Sequence, residues 1–276
     1  MHISEGILAP GTLAAGYVVA GGLAAIGLRR IRDREYPLIG VMTAAFFVAS
    51  LLRVPAGPTS VHLTLNSLVG IVLGIRCFPA IGIALFLQAA LFGCGGPATL
   101  GVNTVIMAVP GYLAGTWMRW GLRQGGSGTL AFATVLLIVC ATAPKLLCDG
   151  LTSIGWIQTT ISWPCTLAIG LVAAALLIGV ERGLKGGRIF RWGFSAGAIA
   201  VIGSAALLFA VLAFAPLDRV SEREPFRDIA RFAFVAHAPI VFIEGVIVAF
   251  VVRYLLTVKP ALLRDVPTTP TSAQEP

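Results

Sequence analysis

Three histidines are the side chains of this sequence best suited to binding a transition metal: His2, His62 and His237. His2 follows Met1, which should be retained because removal of an initiator methionine normally requires a small second residue. The Met1 α-amine, the deprotonated His2 backbone nitrogen and His2 Nδ1 would close a five-membered and a six-membered chelate ring on one metal. A further imidazole, His62 by preference and His237 as second choice, would complete a planar N₄ set, which suits Ni²⁺ or Cu²⁺ better than Zn²⁺ or Mg²⁺.

The elements that must position these histidines are apolar helices. The chain of 276 residues is 57% hydrophobic and 12% charged, whereas a soluble domain carries about 25% charged residues. A bilayer core requires roughly 20 apolar residues per helix, so we predict an all-α polytopic transmembrane bundle of about nine spans, within a range of seven to nine. The third and fourth are short and are either tilted helices or a re-entrant pair. The predicted spans are 11–28, 36–53, 61–75, 78–92, 100–118, 129–147, 157–180, 193–215 and 235–257.

The positions of the basic residues predict the orientation. With the amino terminus outside, 14 of the 20 basic residues fall in inner loops, as the positive-inside rule requires. The carboxyl terminus is then cytoplasmic, and all three histidines lie on the outer side. The net charge of +8 therefore marks topology rather than a nucleic-acid surface. The six basic residues left outside are Arg53, Lys145, Arg219, Arg223, Arg227 and Arg231.

The domain organisation follows from the same pattern. We predict a single transmembrane domain at 1–265, in which residues 1–10 form a metal-binding segment, and a disordered polar tail at 266–276. No G-x-x-x-x-G-K-[ST] phosphate loop is present, so the ATP chemistry of any pump would belong to another chain. Small residues four apart at Gly16, Ala20 and Ala24 fit either a partner's docking face or packing inside the bundle.

Four segments of the chain form recognisable motifs, in this order: Met1–Leu8 (MHISEGIL), Gly57–His62 (GPTSVH), Leu91–Asn103 (LFGCGGPATLGVN) and Ala236–Gly245 (AHAPIVFIEG). Together they resemble the CbiM/NikM family, the metal-binding S components of energy-coupling-factor (ECF) transporters. The resemblance covers about residues 1–120 and 230–265. Val61 stands where the family usually has glycine, and the stretch 125–230 looks longer than in family members with about seven helices.

The resemblance implies a metal site made by Met1, His2 and His62. Asn103 and Glu244 match further family positions. Asn103 would either orient a ligand or act as a polar helix cap. Glu244 is an ionisable residue in an apolar helix and lies two turns after His237 on the same face, so both would support or gate the site, or pair structurally with a neighbour.

The resemblance also implies the function, a substrate-binding component without catalysis that imports Ni²⁺ or Co²⁺ as its transported substrate. Implied partners are a transmembrane coupling (T) subunit, ATPase (A) subunits and a small accessory membrane subunit, in the inner (plasma) membrane. One alternative is a stand-alone secondary carrier or channel, which would need more buried ionisable residues than Glu244, Lys145 and Asp149. A remote alternative is an intramembrane enzyme using Ser195 or Ser204 with His237.

Overall fold

The computed structural model describes residues 2–56, 59–123, 187–216 and 237–263, together with the isolated positions 132, 172, 175, 178, 179, 182 and 183. Helices dominate this part of the chain, and three 3-10 turns accompany them at Asp33–Glu35, Gly74–Arg76 and Pro260–Leu263. The helices are α1 (Pro10–Leu28), α2 (Tyr36–Leu51), α3 (Asn66–Leu73), α4 (Cys77–Phe92), α5 (Leu100–Arg123), α6 (Gly187–Phe214) and α7 (Ala238–Val258).

A short antiparallel hairpin interrupts the helices before α3, within a described chain that is otherwise helical. Its strands are β1 (Arg53–Ala56) and β2 (Thr59–His62), and Arg53 lies opposite His62. The prediction of a helical span from residue 61 is therefore wrong, since α3 begins only at Asn66. Proline and β-branched residues around a Gly-Pro pair favour extended chain and a turn over helix.

The two short spans predicted at 61–75 and 78–92 form helices that run in opposite directions. Along α5, the contacts of α3 advance from the Met107 carbonyl, bonded by Asn66, to Arg119, which donates to the Gly70 carbonyl. The contacts of α4 retreat from the Ala108 carbonyl at its start to Thr104 at its middle. The 3-10 turn Gly74–Arg76 therefore reverses the chain, and Arg76 forms an ion pair there with Glu35.

Glycines allow α5 to approach its neighbours closely. A Cβ added at Gly101 would lie 2.5 Å from the backbone nitrogen of Tyr17 on α1, and one at Gly111 would lie 2.5 Å from the Asn66 carbonyl oxygen on α3. Gly16 packs against Val102 on α5. At this position the small-residue face of α1 therefore contributes to packing inside the bundle.

Four stretches of the described chain are long and apolar enough to cross a membrane: Pro10–Leu28, Asn66–Phe92, Gly187–Phe214 and Ile240–Val258. The predicted spans 129–147 and 157–180 lie outside the described residues, apart from isolated positions, and so do Lys145, Asp149 and the tail 266–276. The total of nine spans and the outward amino terminus stay predictions.

Candidate metal centre

The rings of His2 and His62 stack on each other at one end of the bundle. Their centroids are 5.1 Å apart, and their planes are inclined by 23°. His62 ends β2 and is 1% exposed, whereas His2 is half-buried. Two histidines separated by 60 positions in the sequence thus meet in one place. Met1, the other predicted ligand residue, lies outside the described residues.

A hydrogen bond to the backbone orients the His62 ring. Nδ1 lies 3.2 Å from the Leu63 carbonyl oxygen. A carbonyl oxygen can only accept, so Nδ1 carries the proton and Nε2 has the lone pair. Burial lowers the pKa of His62 well below its ordinary value, and positive charge at the amino terminus, at His2 and at His237 acts in the same direction. The ring is therefore neutral at neutral pH, which is the form that binds metals.

Asn103 holds the segment that carries His2. The Ile3 N–H donates to Asn103 Oδ1 at 2.9 Å, and Asn103 Nδ2 donates to the Ile3 carbonyl at 3.1 Å. Nδ2 also lies 3.2 Å from Thr99 Oγ1. Ile3 and Asn103 are each 2% exposed. The Asn103 side chain, in the first turn of α5, therefore fixes the backbone immediately after His2 at two points.

The loop between α4 and α5 packs against the same segment. The Ala98 N–H donates to Glu5 Oε1 at 2.9 Å. Gly95 has a φ of +81°, and a Cβ added there would lie 2.9 Å from Asn103 Nδ2 and 3.8 Å from the His2 Cβ. Only glycine fits this conformation and space without strain. Sequence reasoning assigned no role to Glu5, whose contact with a loop 93 residues later leaves no local signal.

Glu244 contacts the turn that follows His62. Its Oε2 accepts the Thr64 N–H at 2.9 Å, and the Thr64 hydroxyl lies 2.8 Å from each carboxylate oxygen. Glu244 and Thr64 are both 0% exposed. The glutamate predicted to act in support of the site is therefore bonded to the protein two residues beyond His62. Sequence reasoning did not identify Thr64.

His237 directly precedes α7 and is 1% exposed. Its charge influences His62, so all three histidines lie at the same end of the bundle. The serines considered for an intramembrane enzyme are bonded elsewhere. Ser204 Oγ lies 2.9 Å from Asn66 Nδ2, and Ser195 Oγ donates to the Trp192 carbonyl at 3.0 Å.

No group of three or more His, Cys, Asp or Glu side chains among the described residues is arranged to hold a metal ion. Two neighbouring imidazoles beside the chain's amino end instead offer nitrogen donors, and nitrogen ligands suit late first-row divalent metals.

Comparison with known proteins gives a consistent family. The family described as cobalt uptake substrate-specific transmembrane region, CbiM, matches residues 2–166 and 164–262. A relative from Haemophilus influenzae is 37% identical over 186 residues, which cover 56% of this chain and 90% of that protein. The cobalt transport protein CbiM of Geobacter sulfurreducens is 36% identical over 153 residues, covering 51% of this chain and 44% of that protein. This chain thus spans less than half of the Geobacter relative.

A solved structure shares the fold. The crystal structure of a truncated transition metal transporter aligns with a TM-score of 0.54 and 21% sequence identity. The alignment covers 93% of this chain and 99% of that one. The similarity therefore extends over the whole bundle.

Proposed function

Because this chain belongs to the CbiM family of cobalt uptake substrate-specific transmembrane regions, we propose that it is the substrate-binding membrane (S) component of an ATP-driven ECF-type importer of Ni²⁺ or Co²⁺. Membership makes it a metal-transport membrane protein, which supports a role in transport over catalysis. The metal ligands, the source of energy and the cellular membrane are proposed in addition to family membership.

The proposed ligands are four nitrogens at the corners of a square. The Met1 amine, the His2 amide nitrogen and His2 Nδ1 take three consecutive corners, and His62 Nε2 takes the fourth, adjacent to His2 Nδ1. With metal–nitrogen bonds of about 2 Å, imidazoles on adjacent corners have centroids about 4.5 Å apart, and those on opposite corners about 6.4 Å. The observed separation of 5.1 Å is closer to the adjacent arrangement. The close approach of these two imidazoles is the observation that carries the proposal.

Two further features support this ligand set. The hydrogen bond from His62 Nδ1 to the Leu63 carbonyl leaves Nε2 as the donor atom, a common arrangement for metal-binding histidines. The Asn103 bonds to Ile3 hold the chelating segment next to His62 before any metal arrives. Planar nitrogen coordination selects the metal by geometry, since affinity alone would favour Cu²⁺.

We further propose the membrane and the partner subunits with which the chain works. Residues 1–265 form one transmembrane domain in the inner (plasma) membrane, which captures the ion outside with the segment 1–10. A transmembrane coupling subunit, ATPase subunits and a small accessory membrane subunit complete the importer, and ATP hydrolysis in those partners drives release of the metal inside.

The ligand set can be tested with a cleavable leader. The full chain is purified with a leader peptide before Met1, and Ni²⁺ binding is titrated before and after cleavage exposes the Met1 amine. Tight binding with the absorption of a planar Ni²⁺ site should appear only after cleavage. The matched control is the cleaved His62→Ala chain, which should lose the tight site. Equal affinity with and without the leader would refute the chelate.

The source of energy can be tested by uptake. Cells that produce this chain with its coupling and ATPase partners should accumulate Ni²⁺ or Co²⁺, and a partner ATPase unable to hydrolyse ATP should abolish the accumulation. Undiminished uptake by the chain alone would instead support a stand-alone carrier or channel.

A further inference from the structure

A buried carboxylate joins the last helix to the turn behind His62. Glu244, on α7, accepts the Thr64 N–H and the Thr64 hydroxyl. A carboxylate out of contact with water is costly unless its oxygens are hydrogen-bonded. Every one of these bonds goes to Thr64, so the carboxylate has one structural target, the start of the Thr64–Leu65 turn.

The Thr64–Leu65 turn has a backbone conformation that requires contacts from other parts of the chain to stabilise it. Leu65 has a φ of 49°, a left-handed conformation that non-glycine residues rarely adopt. Such a conformation persists only where the surroundings enforce it. The Glu244 carboxylate holds the backbone N–H and the hydroxyl of Thr64, directly before Leu65, and so favours this conformation.

The chain on the far side of the turn is anchored independently. Asn66 Nδ2 donates to the Met107 carbonyl on α5 and to Ser204 Oγ on α6, each at 2.9 Å. Asn66 Oδ1 accepts the Ser67 N–H. With the start of α3 fixed in this way, the path of the turn determines where β2 ends, and His62 is the last residue of β2.

We propose that Glu244 is a positioning residue for the metal site, which holds the Thr64–Leu65 turn so that His62 stays against His2. The inference rests on the proposed function, because it gives His62 the role of a ligand. Glu244 contacts no proposed ligand among the bonds described above, and it acts through His62 alone.

A double-mutant cycle tests this dependence. Ni²⁺ dissociation constants are measured for the purified full chain and for its Glu244→Gln, His62→Ala and combined variants. Glutamine keeps the volume but loses one acceptor oxygen, and loss of such a supporting bond typically weakens metal binding by about 10- to 100-fold. In the His62→Ala background, Glu244→Gln should add no further loss. The absorption spectrum of Ni²⁺-bound Glu244→Gln should shift towards that of His62→Ala.

Thr64 provides a second route to the same test. Thr64→Val removes only the hydroxyl and should weaken Ni²⁺ binding in the same direction, whereas Thr64→Ser should restore it. The matched control is Ser195→Ala, which removes an equally buried hydroxyl that contacts Trp117 and Trp192 instead. This control should leave the affinity for Ni²⁺ unchanged.

The outcomes separate the two proposals. If His62→Ala binds Ni²⁺ like the wild type, the proposed ligand set is wrong. If His62→Ala loses binding while Glu244→Gln does not, the positioning role is wrong. An equal loss from Glu244→Gln in both backgrounds would also overturn it, since the effect would then not pass through His62.

Discussion

Replacing Asn103 with leucine tests whether the amino-terminal segment is prepared for the metal in advance. Leucine has a similar volume but cannot exchange hydrogen bonds with Ile3, so the contacts of 2.9 and 3.1 Å are lost. A buried backbone group left without a partner costs about 1–3 kcal/mol. The Ile3 N–H and the Ile3 carbonyl would both be buried without a partner, because Ile3 is 2% exposed. We therefore expect the amino-terminal segment around His2 and Ile3 to detach from α5 in the Asn103→Leu variant.

The effect of Asn103→Leu on metal affinity follows from the backbone conformational entropy that His2 and Ile3 regain. Fixing the backbone of one residue costs about 1–2 kcal/mol, so ordering His2 and Ile3 again costs about 2–4 kcal/mol. Metal binding must supply this free energy in the variant. Since about 1.4 kcal/mol corresponds to a tenfold change, the Ni²⁺ dissociation constant should rise by about 30- to 700-fold.

A competition titration against a chelator of known affinity measures this change. At saturating Ni²⁺ the absorption spectrum of Asn103→Leu should match the wild type, because the proposed ligands are intact. Thr99→Val is the matched control, since it removes the hydroxyl that Asn103 also contacts but leaves the bonds to Ile3. A folded Asn103→Leu chain that binds Ni²⁺ as tightly as the wild type would refute the reasoning.

Two further substitutions examine the surroundings of the site and the opposite end of the bundle. Gly95→Ala should weaken Ni²⁺ binding in the same titration, because its φ is +81° and its Cβ would crowd Asn103; Gly21→Ala, with nothing within 4 Å, should not. Glu35→Gln should lower stability at neutral pH by at most about 1 kcal/mol, the usual range for exposed pairs. The hydrogen bond from Arg76 lowers the pKa of Glu35, so this stabilisation is lost as the pH falls through that lowered pKa. The melting curves of wild type and variant should converge in acid, and a difference that persists there would contradict this explanation.

Several features of the molecule were predictable from the sequence because they depend on local pattern. The apolar runs predicted membrane helices, and α1, α6 and α7 are among the candidate spans. The four motifs predicted the CbiM family, which the family match confirms. The roles of Met1, His2 and His62 as ligands stay predictions.

Other features were not predictable because they depend on pairing between distant residues. Asn103 bonds Ile3 across 100 positions, and Glu244 bonds Thr64 across 180. These contacts join side chains to backbone groups and create no periodic pattern. The hairpin before α3 was missed for a different reason. Its strands are only four residues each, so the apolar run that follows them extended the predicted helix backwards.

Helix α5 bonds to the chain near both imidazoles, at Ile3 after His2 and at Asn66 after His62. Its first turn holds Ile3, and its middle holds the start of α3, which follows His62. Rocking of α5 as a rigid rod would thus carry both rings together and preserve their spacing. Sliding of α7 along its neighbour α6 would pull on the His62 side alone, through Glu244 and Thr64. With the proposed ligand set, the spacing of the metal-binding nitrogens would therefore be preserved by the first motion and changed by the second.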